Sequence, residues 1–499
     1  MNIKQMLEKT AKEVPQKTAI VLGSRRISYQ ELDEASNRVA NALIGLGMKK
    51  GDHVAILLSH SPEWLINYFG VVKVGGKTVI LNAMLKAPEY DFLLRDSDST
   101  ILITEKSFSQ MLASVLPTLP LLKHVMEVDS DSYQKMVVSG SATSPTVDIK
   151  DDDETAIIYT SGVLGKQKGV VHTHTSLMAA VFAVAPGLDQ KREDICIGMI
   201  PFFYALGLEV VALISFYKGS TIVVLPRFTP RNLLEAVEQE KATILVGVPA
   251  MYNALAMLDE DTLKGYDLSS LRLALSAGAK ASAHLMGMLE EKFGLTFCEI
   301  YGTTEALGHT LGDIHNRKLG TAGKPIQEIK IIDAAGKEVP QGEIGEFVCR
   351  SPQVMKGYYK EPELTAQVLK DGWFHTGDLV RMDEDGYIEY IEKKSFIIVT
   401  SAGVKIPPTE VEDVLLKHTG VAEAAYVGVP GEHEGQIPTL FVVLKEGQDI
   451  TAKEIRNFCR QSLANYKLPH KIEFIDSIPK TGSGKIARRQ LKERGIAQN

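Results

Sequence analysis

Ala242-Thr-Ile-Leu-Val-Gly-Val248 is an apolar run of strand length, and Pro249 directly after it opens a helix. Leu271-Arg-Leu-Ala-Leu275 and Leu295-Thr-Phe-Cys-Glu-Ile300 repeat the pattern. Strands alternating with helices predict parallel α/β sheets. Working outward, Ser28-Tyr-Gln-Glu31 is a capping box, with hydroxyl and carboxylate each satisfying an orphan backbone N–H. Leu32, Ala35, Val39, Leu43 and Leu46 follow at helical spacing, and Gly47 stops the helix. His53 to Leu58 then reads as a buried strand. From about Leu319 the texture changes. Glu328 to Asp333 and Gly345 to Arg350 read as short antiparallel strands joined by Gly turns. The last hundred or so residues read as a compact α+β unit. It holds helices at Glu410 to His418 and Ala452 to Leu463, and strands at Ala424 to Val429 and Thr439 to Leu444.

The composition sets limits on function. The chain has 499 residues, 44% hydrophobic and 23% charged, as a soluble globular protein does. Fifty-five Lys and Arg against 62 Asp and Glu give a net charge of -7, with no footprint for nucleic acid or an anionic membrane. Cys196, Cys298, Cys349 and Cys459 are scattered, without metal-ligand spacing or a disulfide framework, which suits a reducing compartment. Met1 to Lys12 lacks the apolar stretch of a secretory signal. Met199 to Tyr217 is the most apolar window, but Pro201 and Glu209 make it a buried element rather than a membrane span. A cytoplasmic protein is expected, with no integral membrane segment.

Four segments carry chemistry. Tyr159-Thr-Ser-Gly-Val-Leu-Gly-Lys-Gln-Lys-Gly169 follows an apolar pair, and a loop of Ser, Gly and Lys after a strand arrays N–H groups around phosphate. It fits no Walker A frame, and alone it reads more as a plain surface turn than as a phosphate site. Ile300-Tyr-Gly-Thr-Thr-Glu305 follows a buried strand, at the edge where open α/β sheets hold ligands. Its aromatic, glycine, hydroxyls and carboxylate suit a base, a phosphate and Mg²⁺. Trp373-Phe-His-Thr-Gly-Asp378 sets a carboxylate after a tight turn, suited to a ribose diol or to a turn cap. Pro479-Lys-Thr-Gly-Ser-Gly-Lys485 is a second Gly/Lys loop; no βαβ unit follows it, so a dinucleotide site is discarded.

In this order and spacing the four segments resemble the adenylate-forming superfamily of acyl-CoA synthetases, peptide-synthetase adenylation domains and luciferases. Gly320-x-x-Gly-Lys-Pro325 and Gly357-Tyr-Tyr359 match as well, so the likeness spans Ser28 to Lys485. It implies a large N-terminal domain over residues 1–394, of two parallel-type α/β subdomains and a small β-barrel-like one. A small mobile α+β cap would occupy residues 395–499. It implies ATP, Mg²⁺ and CoA as co-reactants, a small carboxylic acid as substrate, and a monomer or homodimer. Carried over residue by residue, Thr160, Ser161, Gly162, Gly165 and Lys168 would hold phosphates. Glu299, Ile300, Tyr301 and Gly302 would form the adenine platform. Thr304 would contact the α-phosphate, Glu305 would hold Mg²⁺, and Asp378 and Lys394 would take the ribose. Lys485 would be the catalytic lysine of adenylation. Tyr204, Ala277, Gly278 and Gly302 would line the acyl pocket. Ser401, Ala402 and Gly403 would come over the site for CoA once the cap turns.

The sequence departs from the family where Val163 and Leu164 replace two hydroxyl residues and Gln167 replaces Pro. Each lost hydrogen bond to a charged phosphate is worth about 1.5–3 kcal/mol, so weaker ATP binding or slower adenylation is expected. The hinge reads Glu392-Lys-Lys-Ser-Phe-Ile397, with Lys394 aligned to the ribose-binding Arg and Phe396 at a position that is usually charged. Pro201-Phe-Phe-Tyr204 replaces a pattern ending in His, and no Asp stands there to hold an amino acid's ammonium. With the small neutral segment Leu275 to Ala281, this favours an apolar acid, whether fatty, alicyclic or aryl. Two alternatives stay open: a ligase loading a carrier protein, and a catalytically weak nucleotide- or acyl-adenylate-binding relative.

Overall fold

A computed structural model describes residues 1–160, 167–399, 405–430, 436–463, 465–481 and 484–497. The chain forms two compact units, one of Met1–Glu328 with Cys349–Phe374, the other of Ile329–Val348 with His375–Asn499.

The first unit is built on two sheets. A seven-stranded sheet runs, in order, Gly357–Tyr358, β2 (Lys168–Thr173), β1 (Glu154–Thr160), Lys77–Ile80, His53–Leu57, Ile101–Thr104 and His124–Glu127. From β1 onward neighbours are parallel, whereas β1 and β2 form an antiparallel pair. The nine-stranded sheet places β3 (Leu273–Ala277) beside β4 (Thr296–Thr303) in parallel, then β5 (Leu307–Leu311) antiparallel to β4. Strands such as His53–Leu57, Ile244–Gly247 and β3 are buried along their whole length. Parallel strands covered on both faces need such unbroken apolar runs, which is why the sequence displays them. Ser28 caps the helix Tyr29–Gly45 in the expected box with Glu31.

The apolar window at Met199 becomes a π-helix, Gly207–Leu213, continuing into an α-helix at Ile214–Lys218, and the π segment is wholly buried. Among the described residues no helix is long and apolar enough to cross a membrane. All four cysteines are buried and form no disulfide.

The second unit includes most of β6 (Ile344–Arg350) and β7 (Trp373–Met382), and all of β8 (Ile388–Lys393), which pairs antiparallel with β7. It continues into α1 (Pro408–Leu415), the strand pair Val421–Pro430 and Gln436–Leu444, and α2 (Arg488–Ala497). β8 packs with the C-terminal residues, because Arg488 and Glu392 form a buried ion pair.

Candidate active site

In the first unit the site gathers at the end of β4. The ladder with β5 shifts register between Tyr301 and Gly302. A Cβ on Gly302 would lie 2.2 Å from the Leu307 carbonyl oxygen, so only glycine fits this bulge. The turn beyond it presents Thr304 and Glu305. Two neighbours hold them in place. The buried His172 in β2 donates from Nε2 to the Thr304 carbonyl at 2.7 Å. Burial pushes His172 down to about 4, so it is neutral and keeps that tautomer. Tyr358 donates its hydroxyl to Glu305 Oε1 at 2.8 Å. Burial, together with Glu305 itself, holds that phenol well above its ordinary range.

Lys168 opens β2, and its Nζ lies 5.0 Å from the centre of the Tyr358 ring. Across the ladder it pairs with Thr160, the last residue of β1. The two strands flanking the expected phosphate loop are therefore an antiparallel pair, in keeping with the absence of a Walker A frame. Ser161, Gly162 and Gly165, with Val163 and Leu164, lie outside the described residues. Thr160, Lys168, Thr304 and Glu305 are thus brought to one end of the unit by β1, β2, Gly357–Tyr358 and β4.

Glu299 sits deeper in β4. Its carboxylate accepts the Ala281 N–H at 3.1 Å, tying the segment after β3 to β4, and burial pushes it up to about 8. Ile300 is buried beside it, and the Tyr301 ring lies 4.9 Å from the His309 ring. Ala277 ends β3, and Gly278 takes a left-handed φ of 82°. Tyr204 accepts from Asn82 Nδ2 at 3.3 Å. Glu209, on the π-helix, is fully buried; it accepts the Gly308 N–H, its other oxygen has no partner, and burial pushes it up to about 8. π-Helical segments recur at functional sites, and Gly308 stands opposite Gly302 in the β4–β5 register.

The second unit holds the remaining residues. Gly377, at φ 68°, turns β7 so that Asp378 is buried, and the Asp378 N–H bonds Thr376 Oγ1 at 3.0 Å. The register sets Asp378 opposite Lys393, whose Nζ reaches Asp378 Oδ1 at 2.8 Å. Lys394, the residue expected at the ribose, bonds Glu346 Oε2 at 3.2 Å instead. Lys393 ends β8, and Lys394 starts the 3-10 turn that follows it. Lys485 follows a tight loop in which its N–H bonds Thr481 Oγ1 at 3.2 Å and its carbonyl accepts the Thr481 N–H at 2.7 Å. Ser401, Ala402 and Gly403 lie outside the described residues.

Sequence reading missed His172, Tyr358, Lys393 and Glu209. Of these, Tyr358 carried a signal, since Gly357-Tyr-Tyr359 was noted as a motif but given no role.

Among the described residues no three His, Cys, Asp or Glu side chains could hold a metal together. One carboxylate, Glu305, suits Mg²⁺ that arrives on nucleotide phosphates, because that ion commonly keeps several waters and takes one or two protein carboxylates.

A parallel α/β unit with hydroxyl, carboxylate and lysine at a strand end, followed by a unit bearing a second Gly/Lys loop, defines an adenylate-forming enzyme. The chain belongs to the AMP-binding enzyme family: residues 7–359 match that family's model, and residues 410–485 match the AMP-binding enzyme C-terminal domain. It is 35% identical to a feruloyl-CoA synthase of an Amycolatopsis species, over 97% of each chain. It is 31% identical to the long-chain-fatty-acid–CoA ligase FadD13 of Mycobacterium tuberculosis, over 99% of this chain and 98% of that one. Among solved structures, the anthranilate CoA ligase AuaEII in complex with anthranoyl-AMP superposes with a TM-score of 0.93 at 30% identity, covering 100% of this chain and 98% of the other.

Proposed function

We propose that this chain is an AMP-forming acyl-CoA synthetase acting on an apolar monocarboxylic acid, fatty, alicyclic or aryl. The class is an acid–thiol ligase. Relatives named for aryl and fatty acids, at similar identity, support that breadth. The observation that carries the reading is the joining of Lys168, Tyr358, Glu305 and Thr304 at the end of β4.

In the first half-reaction the acid's carboxylate attacks the α-phosphate of ATP, forming the acyl-adenylate and expelling pyrophosphate. Lys168 offsets charge on the leaving phosphates, and Thr304 bonds the α-phosphate. Glu305 holds Mg²⁺, which neutralises phosphate charge when bound. Asp378 accepts the ribose hydroxyls, with Lys393 rather than Lys394 beside it. Lys485 bridges the acid and the α-phosphate, where negative charge grows as the oxygens converge. In the second half-reaction the CoA thiol displaces AMP, after a turn of the chain at residues 394–396 carries Lys485 away.

Transfer to a carrier protein is the competing reading, and a fatty acid–[acyl-carrier-protein] ligase of Streptomyces coeruleorubidus, ScoC, is also 35% identical. The test is pyrophosphate exchange over a panel of fatty, alicyclic, aryl and amino acids, followed by AMP release with free CoA and with a pantetheinylated carrier. An apolar acid and free CoA are expected to work best. Lys485→Ala should slow exchange by about 10²–10³-fold while sparing thioester formation from supplied acyl-adenylate. No CoA-dependent AMP release with any acid would overturn the reading.

A further inference from the structure

Arg488 lies three residues beyond Lys485, at the start of α2. Its side chain is only 7% exposed, and two carboxylates share it. Glu412 takes Nη1 at 2.5 Å and Nη2 at 2.9 Å, the two-pronged geometry of a guanidinium and a carboxylate. Nη2 also reaches Glu392 Oε2 at 3.1 Å, and Nη1 reaches the Tyr426 carbonyl at 3.0 Å. The ring of Phe396, the residue that departs from the family's hinge pattern, lies 5.8 Å from the guanidinium carbon.

Both carboxylates are buried, but they occupy different parts of the chain. Glu392 is the next-to-last residue of β8, beside the Lys393 that pairs with Asp378. Glu412 lies in α1, beyond residues 394–396. On the other side of Arg488, a bridge between Lys480 and Ile486 closes the Lys485 loop, and the Ala487 N–H bonds the Pro479 carbonyl at 2.8 Å. These bonds tie Lys480 and Thr481 to Lys485–Ala487, and Arg488 is the buried point next to them that bonds Glu392 of β8. A turn at residues 394–396 would part Arg488 from Glu392 and keep it with Glu412. A lysine could not span these acceptors, because it lacks the planar fork.

Building on the reading of Lys485 above, we infer that Arg488 is a positioning residue for adenylation: it sets the Lys485 loop against the Asp378-bearing sheet through Glu392, its releasable contact. Glu412 is the permanent one.

The test measures the two half-reactions separately in the full chain, as pyrophosphate exchange and as CoA thioester formation from supplied acyl-adenylate. Arg488→Met should lower the kcat of exchange roughly 10–100-fold with little change in KM for ATP, and leave the thioester step within about threefold. Arg488→Lys should restore little of this. Glu392→Gln keeps the Glu412 fork and the fold; it should lower exchange about 5–10-fold and leave the thioester step unchanged or faster. Equal loss in both half-reactions from Glu392→Gln, or exchange unaffected by it, would overturn the inference even if Arg488→Met fails to fold. Lys485→Ala separates the two claims. If that variant still exchanges pyrophosphate, the assignment of Lys485 fails; if it does not, and the Glu392 and Arg488 variants slow both steps alike, only the positioning role fails.

Discussion

Strands β4 and β8 each deliver polar residues to a sheet end, but they are held by different forces. Around β4 the supports are backbone shape and hydrogen bonds from neutral donors: the Gly302 bulge, a neutral His172 on a carbonyl, a phenol on Glu305. Around β8 they are charge pairs, Lys393 with Asp378 and Arg488 with Glu392 and Glu412. Burial raises Glu392, and Arg488 offsets only part of that penalty. The first arrangement rests on backbone shape and on donors that carry no charge. The second depends on paired charges, the contacts that the proposed turn at residues 394–396 would have to part.

The largest expected effect tests the charged side. Lys393→Met removes the ammonium beside Asp378, which is 3% exposed. A hydrogen bond between charged groups contributes about 1.5–3 kcal/mol, so KM for ATP in pyrophosphate exchange should rise roughly 10–100-fold. Lys394→Met, one residue on, should change it less than about twofold, because that lysine faces Glu346. Equal effects from the two lysines would return the ribose role to Lys394 and break the register argument.

That pair also shows where sequence reading stopped. The capping box at Ser28 and the buried strands at His53 and Leu273 were legible, because each depends on residues close in sequence. Thr304, Glu305, Asp378 and Lys485 are proposed as site residues through spacing that resembles a family. The supports were not. His172 and Thr304 are 132 positions apart, and Arg488 and Glu392 are 96 apart, so their pairing leaves no local pattern. That Lys393 and not Lys394 faces Asp378 depends on the strand register, which pairing with β7 supplies. Glu209 was read as one reason an apolar window could not span a membrane; the fold makes it a buried carboxyl beside the β4–β5 bulge.

The next effect comes from that carboxyl. Burial lifts Glu209 from its ordinary 4.5 to about 8. Its folded form therefore holds a proton that the unfolded chain gives up near 4.5. The stability this contributes is complete below pH 4.5 and is lost as pH rises toward 8, by about 1.4 kcal/mol per pH unit. Glu209→Gln has nearly the same shape and no titration. Thermal midpoints measured from pH 5 to 9 should show the variant gaining on the parent from pH 5 to about 8 and levelling off above it. Parallel curves would mean that Glu209 is not held protonated, and the uncharged character given to the β4 side would not extend to it.

The smallest effect isolates one hydrogen bond on the β4 side. Tyr358→Phe keeps the ring that faces Lys168 and removes only the hydroxyl that orients Glu305. A phenol on a carboxylate sits at the low end of the range for bonds to charged groups, about 1.5–3 kcal/mol, or roughly 10-fold. Groups behind a metal ligand act by fixing its direction, so the loss should appear as a higher half-saturating Mg²⁺ concentration in pyrophosphate exchange, with the rate recovering as Mg²⁺ is raised. A rate lowered equally at every Mg²⁺ concentration would mean that the hydroxyl serves the turn at Thr304 and not the metal, and Glu305 would lose its support as the Mg²⁺ ligand. A response confined to low Mg²⁺ would leave the turn intact without the hydroxyl, as expected if Gly302 and His172 alone set the backbone there.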